Sequence, residues 1–188
     1  MTVAIRVEPE AVARKFQMAI ASLSNHPFIG WTEEDISYLA PVPTFVLDLE
    51  AIKHGQVDGG FASDWLYAVR LPSGLALMKV DESTPGTFNS LVRGPLPSSY
   101  FAALEDAELM CTATNVEYAL EVLDAPAVMT SVIRLTSDNE RWILPFRRNG
   151  RIAAFPRMSE DQFGQDISAM YAAMRAQSSS VESNKPKI

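Results

Sequence analysis

Cysteine and histidine are almost missing from this chain: its 188 residues hold one cysteine, Cys111, and two histidines, His26 and His54. A single cysteine excludes an internal disulfide, and no Asn-x-Ser/Thr acceptor occurs. Both features point to a reducing, cytoplasmic setting. With so little histidine, zinc chemistry would need carboxylates for the remaining ligands, and no spacing supplies them. His26 in "NHP" and His54 in "KHG" stand where helices or strands end, ordinary surface or capping positions. There is no G-x-x-x-x-G-K-[ST], no G-x-G-x-x-G after a strand, no H-E-x-x-H, no C-x-x-C and no G-x-S-x-G. Phosphate loops, dinucleotide loops, zincin helices and nucleophile elbows are therefore excluded as readable motifs. No apolar run approaches the roughly 18 residues of a membrane span. The opening "MTVAIRVEPE" has one arginine, acids at Glu8 and Glu10 and no apolar core, unlike a signal peptide. The expectation is a chain without cofactor, metal or membrane.

What is present is ordinary globular material, 47% hydrophobic and 21% charged with a net charge of −7. The length suits one domain with a real core and is short for two. We expect a single α+β domain over residues 1–176, followed by a disordered polar tail, 177–188.

Residues 2–7 read as a short strand. A helix opens at Glu8-Pro9, and Val12, Phe16, Ala19, Ile20 and Leu23 make one apolar stripe at helical spacing. "WTEEDISYL" (31–39) reads as a second, short helix capped by Thr32. Residues 41–55 fit either period: Phe45, Leu47 and Leu49 alternate, while Gly55 suits a helix C-cap, and strand is favoured for the first half. Residues 65–80 read as an antiparallel hairpin around a three-residue turn with glycine in the left-handed position. A central helix follows at 96–111. Four strands in a meander come next, at 115–123, 127–136, 140–148 and 151–155, the last turn being the type I′ signal Asn149-Gly150. Ser159-Glu160-Asp161-Gln162 is a capping box opening the C-terminal helix, striped by Phe163, Ile167, Met170, Tyr171 and Met174. The three main helices are amphipathic and pack on one or two sheets. In element order, small size and acidity the chain is similar to secretion chaperones that dimerise and hold an effector segment, a likeness that assigns no residue roles.

Two candidate chemistries can be weighed on residues. Asp48-x-Glu50 followed by Lys53 is the acid pair plus lysine of a metal-dependent nuclease or hydrolase, provided 45–50 is a strand that puts both carboxylates on one face. The plainer account is a polar strand face. Cys111, downstream of Glu105, Asp106 and Glu108, lies near no base between Arg93 and Arg134. Those surroundings raise a thiol pKa, so it reads as a small buried hydrophobe.

The strongest signal is charge clustering. Residues 141–157 hold five arginines (Arg141, Arg147, Arg148, Arg151 and Arg157) and no acid, whereas 94–133 hold six acids and no base. A two-residue Asn149-Gly150 loop sets Arg148 directly across from Arg151, a mutually destabilising like-charge pair. Period-2 alternation puts Trp142 and Phe146 on the Arg148/Arg151 face. Pro145 marks this strand as an edge or the site of a bulge. We therefore expect Arg141, Trp142, Arg147, Arg148 and Arg151 to bind the acidic surface of a protein partner or of a second copy, as in a homodimer. The chain would then be a regulator, chaperone or inhibitor of another protein. The alternative is an anion or nucleic-acid binder using the same hairpin. The plain account is that the arginines keep an exposed edge soluble.

Overall fold

The computed structural model describes residues 3–4, 6–24, 31–81, 83, 86, 88–114 and 116–183. The fold is α+β. Strand β1 (Val3–Ala4) precedes α1 (Glu10–Ser24), whose Val12, Phe16, Ala19 and Ile20 are buried as the stripe requires. Pro9 stands just outside the helix, its carbonyl accepting from the Val12 and Ala13 amides at 3.0 and 3.1 Å.

Residues 31–39 are not a helix but a single 3-10 turn, Glu33–Asp35, followed by β2 (Ser37–Tyr38). Asp35 accepts from the Thr32 amide and hydroxyl at 2.8 and 2.9 Å, closing the turn on itself. Ile36 then buries its branched side chain in extended conformation. The ambiguous 41–55 segment uses both periods: β3 (Val42–Leu47), then α2 (Leu49–His54) ending at Gly55 with φ 64°. The hairpin of β4 (Gly60–Leu71) and β5 (Gly74–Val80) pairs Leu71 with Gly74, so its loop has two residues, Pro72 and Ser73, rather than three. After β6 (Ser90–Val92) comes α3 (Pro95–Thr114).

The chain then runs through β7 (Tyr118–Ala125), β8 (Thr130–Thr136), β9 (Arg141–Arg148) and β10 (Arg151–Ile152), with β8, β9 and β10 each antiparallel to the strand before. A short β11 (Met158–Ser159) returns to β9 before α4 (Glu160–Ser183). The capping box forms, the Ser159 amide donating to Gln162 Oε1 at 3.0 Å and the Gln162 amide to Ser159 Oγ at 3.2 Å. Helix α4 continues through Ser183, into the stretch expected to be a disordered tail, and 184–188 lie outside the described residues.

All strands belong to one mixed sheet, ordered β10-β9-β8-β7-β3-β4-β5-β6 along its main path. It is mixed because β7 lies parallel to both β3 and β1. Helix α3 covers one face, with Tyr100, Ala103, Ala107 and Met110 packed on Leu66, Val122, Ile133 and Leu144. The other face carries α1 over β4–β5, and α2 with α4 over β7–β9. Where α2 meets α4 the backbones nearly touch: a Cβ on Gly55 would lie 2.6 Å from the Gly164 carbonyl oxygen. Only a pair of glycines permits that approach, and it sets where the first turns of α4 lie against the sheet.

Candidate functional site

Strand β9 is not an open edge along its whole length. Its outer side is taken at one end by β11, opposite Trp142 and Ile143, and at the other by β10, opposite Arg147 and Arg148. Toward β8, Val132 pairs with Pro145 and Ser131 with Arg147, so Phe146 is an extra residue, a bulge beside the proline. That bulge breaks the alternation. Leu144 and Phe146 face α3, with Trp142 packed on the same cluster, while Arg148 turns to the α4 side. Trp142 and Phe146 therefore do not share a face with Arg148, contrary to unbroken period-2 counting.

The arginines sort into two groups. Arg148 donates to Asp166 of α4 at 2.6 Å. Arg141 uses Nη1 to reach Asp58 Oδ2 and Glu160 Oε2, both at 2.9 Å, and these carboxylates, Glu160 first, hold its pKa above the ordinary value. Arg134 of β8 is part of the same assembly. It lies opposite Glu121 of β7, and its Nε and Nη2 meet Glu121 Oε2 at 3.0 and 2.6 Å. Its Nη1 reaches Asp58 Oδ1 at 3.1 Å and Glu160 Oε1 at 3.3 Å. Arg134, Asp58, Arg141 and Glu160 thus alternate in a closed ring, with Arg134 and Glu160 only 13% and 14% exposed.

The second group stays at the surface. Arg157 stacks its guanidinium 5.6 Å above the Trp142 ring. The half-buried Trp142 donates from Nε1 to Glu140 Oε2 at 3.1 Å, and the Tyr118 hydroxyl donates to the same oxygen at 2.8 Å. These two bonds, Trp142's first, hold the Glu140 carboxyl below its usual range. Arg147 donates from Nε to the Met129 carbonyl at 3.0 Å, and its remaining N–H groups meet no acceptor among the described residues. Arg151, exposed and paired across the strands with Arg148, makes no ion pair with any described residue.

The turn that presents Arg151 is fixed by the sequence. Asn149 and Gly150 take φ 49° and 77°, the type I′ combination. Their amides are tied to the preceding loop, Asn149 N to Thr130 Oγ1 at 3.1 Å and Gly150 N to the Met129 carbonyl at 2.9 Å. Met129 (φ 48°) and Ile152 are both more than a third exposed. The hairpin tip is therefore held in place, with Arg147 opposite Ile152 on one face of the ribbon and Arg151 opposite Arg148 on the other.

The other candidates resolve separately. Asp48 is the N-cap of α2, its Oδ1 accepting from the Ala51 amide at 2.7 Å, while Glu50 faces Lys53 and His54 on the helix exterior. The two carboxylates are thus not on one strand face, and among the described residues no three His, Cys, Asp or Glu side chains cluster as a metal site would need. Cys111, on the buried face of α3, is enclosed, and that burial pushes its thiol pKa up.

The sequence did not reveal Asp58, Glu160 and Asp166 as partners of the arginines, nor Arg134 as a member of the ring. The Glu121–Arg134 pair follows from the register of β7 on β8. The others come from distant segments and leave no local signal. No helix of the described residues is long and apolar enough to cross a membrane. No family model matches the chain, and no curated protein or solved structure resembles it at a significant level.

Proposed function

We propose that this chain is a non-enzymatic protein-binding module, a regulator, chaperone or inhibitor that holds an acidic surface of its partner on the β9–β10 tip. The observation that carries this reading is Arg151. It is exposed, it faces another arginine, and no described carboxylate neutralises it. A like-charge cross-strand pair costs stability, and a partner's carboxylates would relieve that cost. Arginine is suited to the task because its planar fork takes a carboxylate bidentately. Met129 and Ile152, exposed at the same tip, add apolar contact area.

Five arginines do not act as one patch in this reading. Arg141 and Arg148 serve as internal struts, and recognition falls to Arg147 and Arg151. A second copy is one source of the acidic surface, since Glu105, Asp106 and Glu108 are exposed on α3. Self-association on that basis is checked by sedimentation at tens of micromolar, about where weak interfaces populate. The binding reading itself is tested by titrating the protein with a short polyglutamate peptide and, separately, with single-stranded DNA. Saturable binding of the peptide, weakened by Arg151→Thr, supports it. Preference for the DNA with a steep salt dependence supports a phosphate-binding mode instead.

A further inference from the structure

A second feature of the molecule involves no residue of the hairpin. On the sheet face covered by α3, beneath the segment that joins β2 to β3, lies a cavity of about 250 Å³. Its walls are apolar: Leu39, Val42, Ala68, Leu104, Ala107 and Leu120. An apolar cavity of roughly 150 Å³ is already large enough to stay dry and accept benzene. The space here suits a bicyclic aromatic or a branched aliphatic group.

Two polar side chains line the same cavity, Tyr100 and Glu108. Tyr100 is only 1% exposed, and its ring is held edge-on by Phe101 and Phe146. Its hydroxyl has no hydrogen-bond partner among the described residues, and burial alone pushes its pKa up. That hydroxyl is not one of the fully enclosed unpaired groups, so it keeps a little solvent contact, and a water there can be exchanged for a polar atom of a ligand. Glu108 is exposed and forms no ion pair with any described residue, and Glu105 precedes it by one turn of α3. No base occurs anywhere in residues 94–133. The cavity thus has an apolar interior, one hydroxyl in its wall without a protein partner among the described residues, and a negative rim.

We propose that this cavity is a binding site for a small amphiphilic amine. The apolar body occupies the space between α3 and the sheet, and a polar atom on it meets the Tyr100 hydroxyl. The ammonium group pairs with Glu108. Apolar burial supplies most of the affinity, and the carboxylate sets the preferred charge. An anionic analogue of the same shape is disfavoured by Glu108 and Glu105 together.

The test uses three probes of one shape, tryptamine, indole and indole-3-acetate, titrated into the full chain and followed by amide NMR shifts. Tryptamine should bind saturably in the millimolar range or tighter, with the shifts centred on α3, Val42 and Ala68. Indole should bind about fivefold more weakly and indole-3-acetate more weakly again, as expected for one rim charge. Glu108→Gln should bring tryptamine down to the level of indole, and Tyr100→Phe should weaken both. Ala40→Phe, placed at the exposed mouth where the fold does not depend on it, should block all three. The proposal is overturned if tryptamine gives no saturable shifts, if Glu108→Gln leaves the order of the probes unchanged, or if Ala40→Phe binds like the wild type.

Discussion

Replacing Glu160 with glutamine keeps the shape of the side chain and removes the charge that two arginines share. Glu160 Oε1 accepts from Arg134 at 3.3 Å and Oε2 from Arg141 at 2.9 Å, with the carboxylate only 14% exposed. A hydrogen bond to a charged partner contributes about 1.5–3 kcal/mol net when buried. Arg134 keeps Glu121 and Asp58, so it is not orphaned and its loss is nearer 1 kcal/mol. Arg141 is 46% exposed, and solvent screening reduces its share to about 0.5 kcal/mol. Glu160 is also the first residue of α4, where a negative charge on the helix end is worth about another 0.5 kcal/mol. The expected loss is about 2 kcal/mol, or roughly 6 °C in Tm for a chain of this length. Asp58→Asn is the control, because Asp58 touches the same two arginines but is 68% exposed and should cost under about 1 kcal/mol. Both variants are compared by thermal and urea unfolding followed by circular dichroism. The reasoning fails if Glu160→Gln unfolds within about 1 °C of the wild type, or if Asp58→Asn proves the more damaging change.

The two arginines facing each other across the turn should behave differently. Arg151→Thr should leave stability unchanged or raise it by a few tenths of a kcal/mol, while Arg148→Thr should lower it slightly because the Asp166 bond is lost. Unfolding curves of the two variants check the difference in sign. Cys111 should react with a thiol reagent only as the protein unfolds, since burial both hides the sulfur and disfavours its thiolate. Glu140 predicts an acid-side effect: its folded pKa lies below the ordinary 4.5, so its contribution to stability is complete above that value. It disappears as pH falls through the lower folded value, and Glu140→Gln should flatten that part of a stability–pH curve followed by tryptophan fluorescence.

The elements that could be read from the sequence are those decided locally. The α1 stripe, the Asn149-Gly150 turn and the Ser159 capping box each lie within about one or two turns of chain, and each forms. Cross-strand neighbours one hairpin apart, such as Arg148 with Arg151, follow from the same local chemistry. Long-range pairing was not legible. The parallel contact of β7 with β3 depends on where the intervening hairpin and α3 fold, and it turns what could have been two sheets into one. The Phe146 bulge was hinted at only by Pro145, yet it inverts the face on which Arg148 lies. The partners of the arginines were equally hidden, Asp58 standing 76 residues before Arg134 in the chain. Residues 31–39 misled for a different reason: an acidic, well-capped start resembles a helix, but Ile36 gains more by burial beside the sheet than by continuing the turn.

Arg141 and Arg148 are used internally, whereas Arg147 and Arg151 are left open at the β9–β10 tip. The most direct test is an amide NMR titration of the full chain with a short polyglutamate peptide at low salt, repeated on Arg151→Thr. Shifts should be confined to Arg147–Ile152 and Met129, with little change at Arg141, and the substitution should reduce affinity about fivefold or more, as for a lost interfacial arginine. Shifts centred on Arg141, or binding that Arg151→Thr leaves intact, would contradict this division of roles.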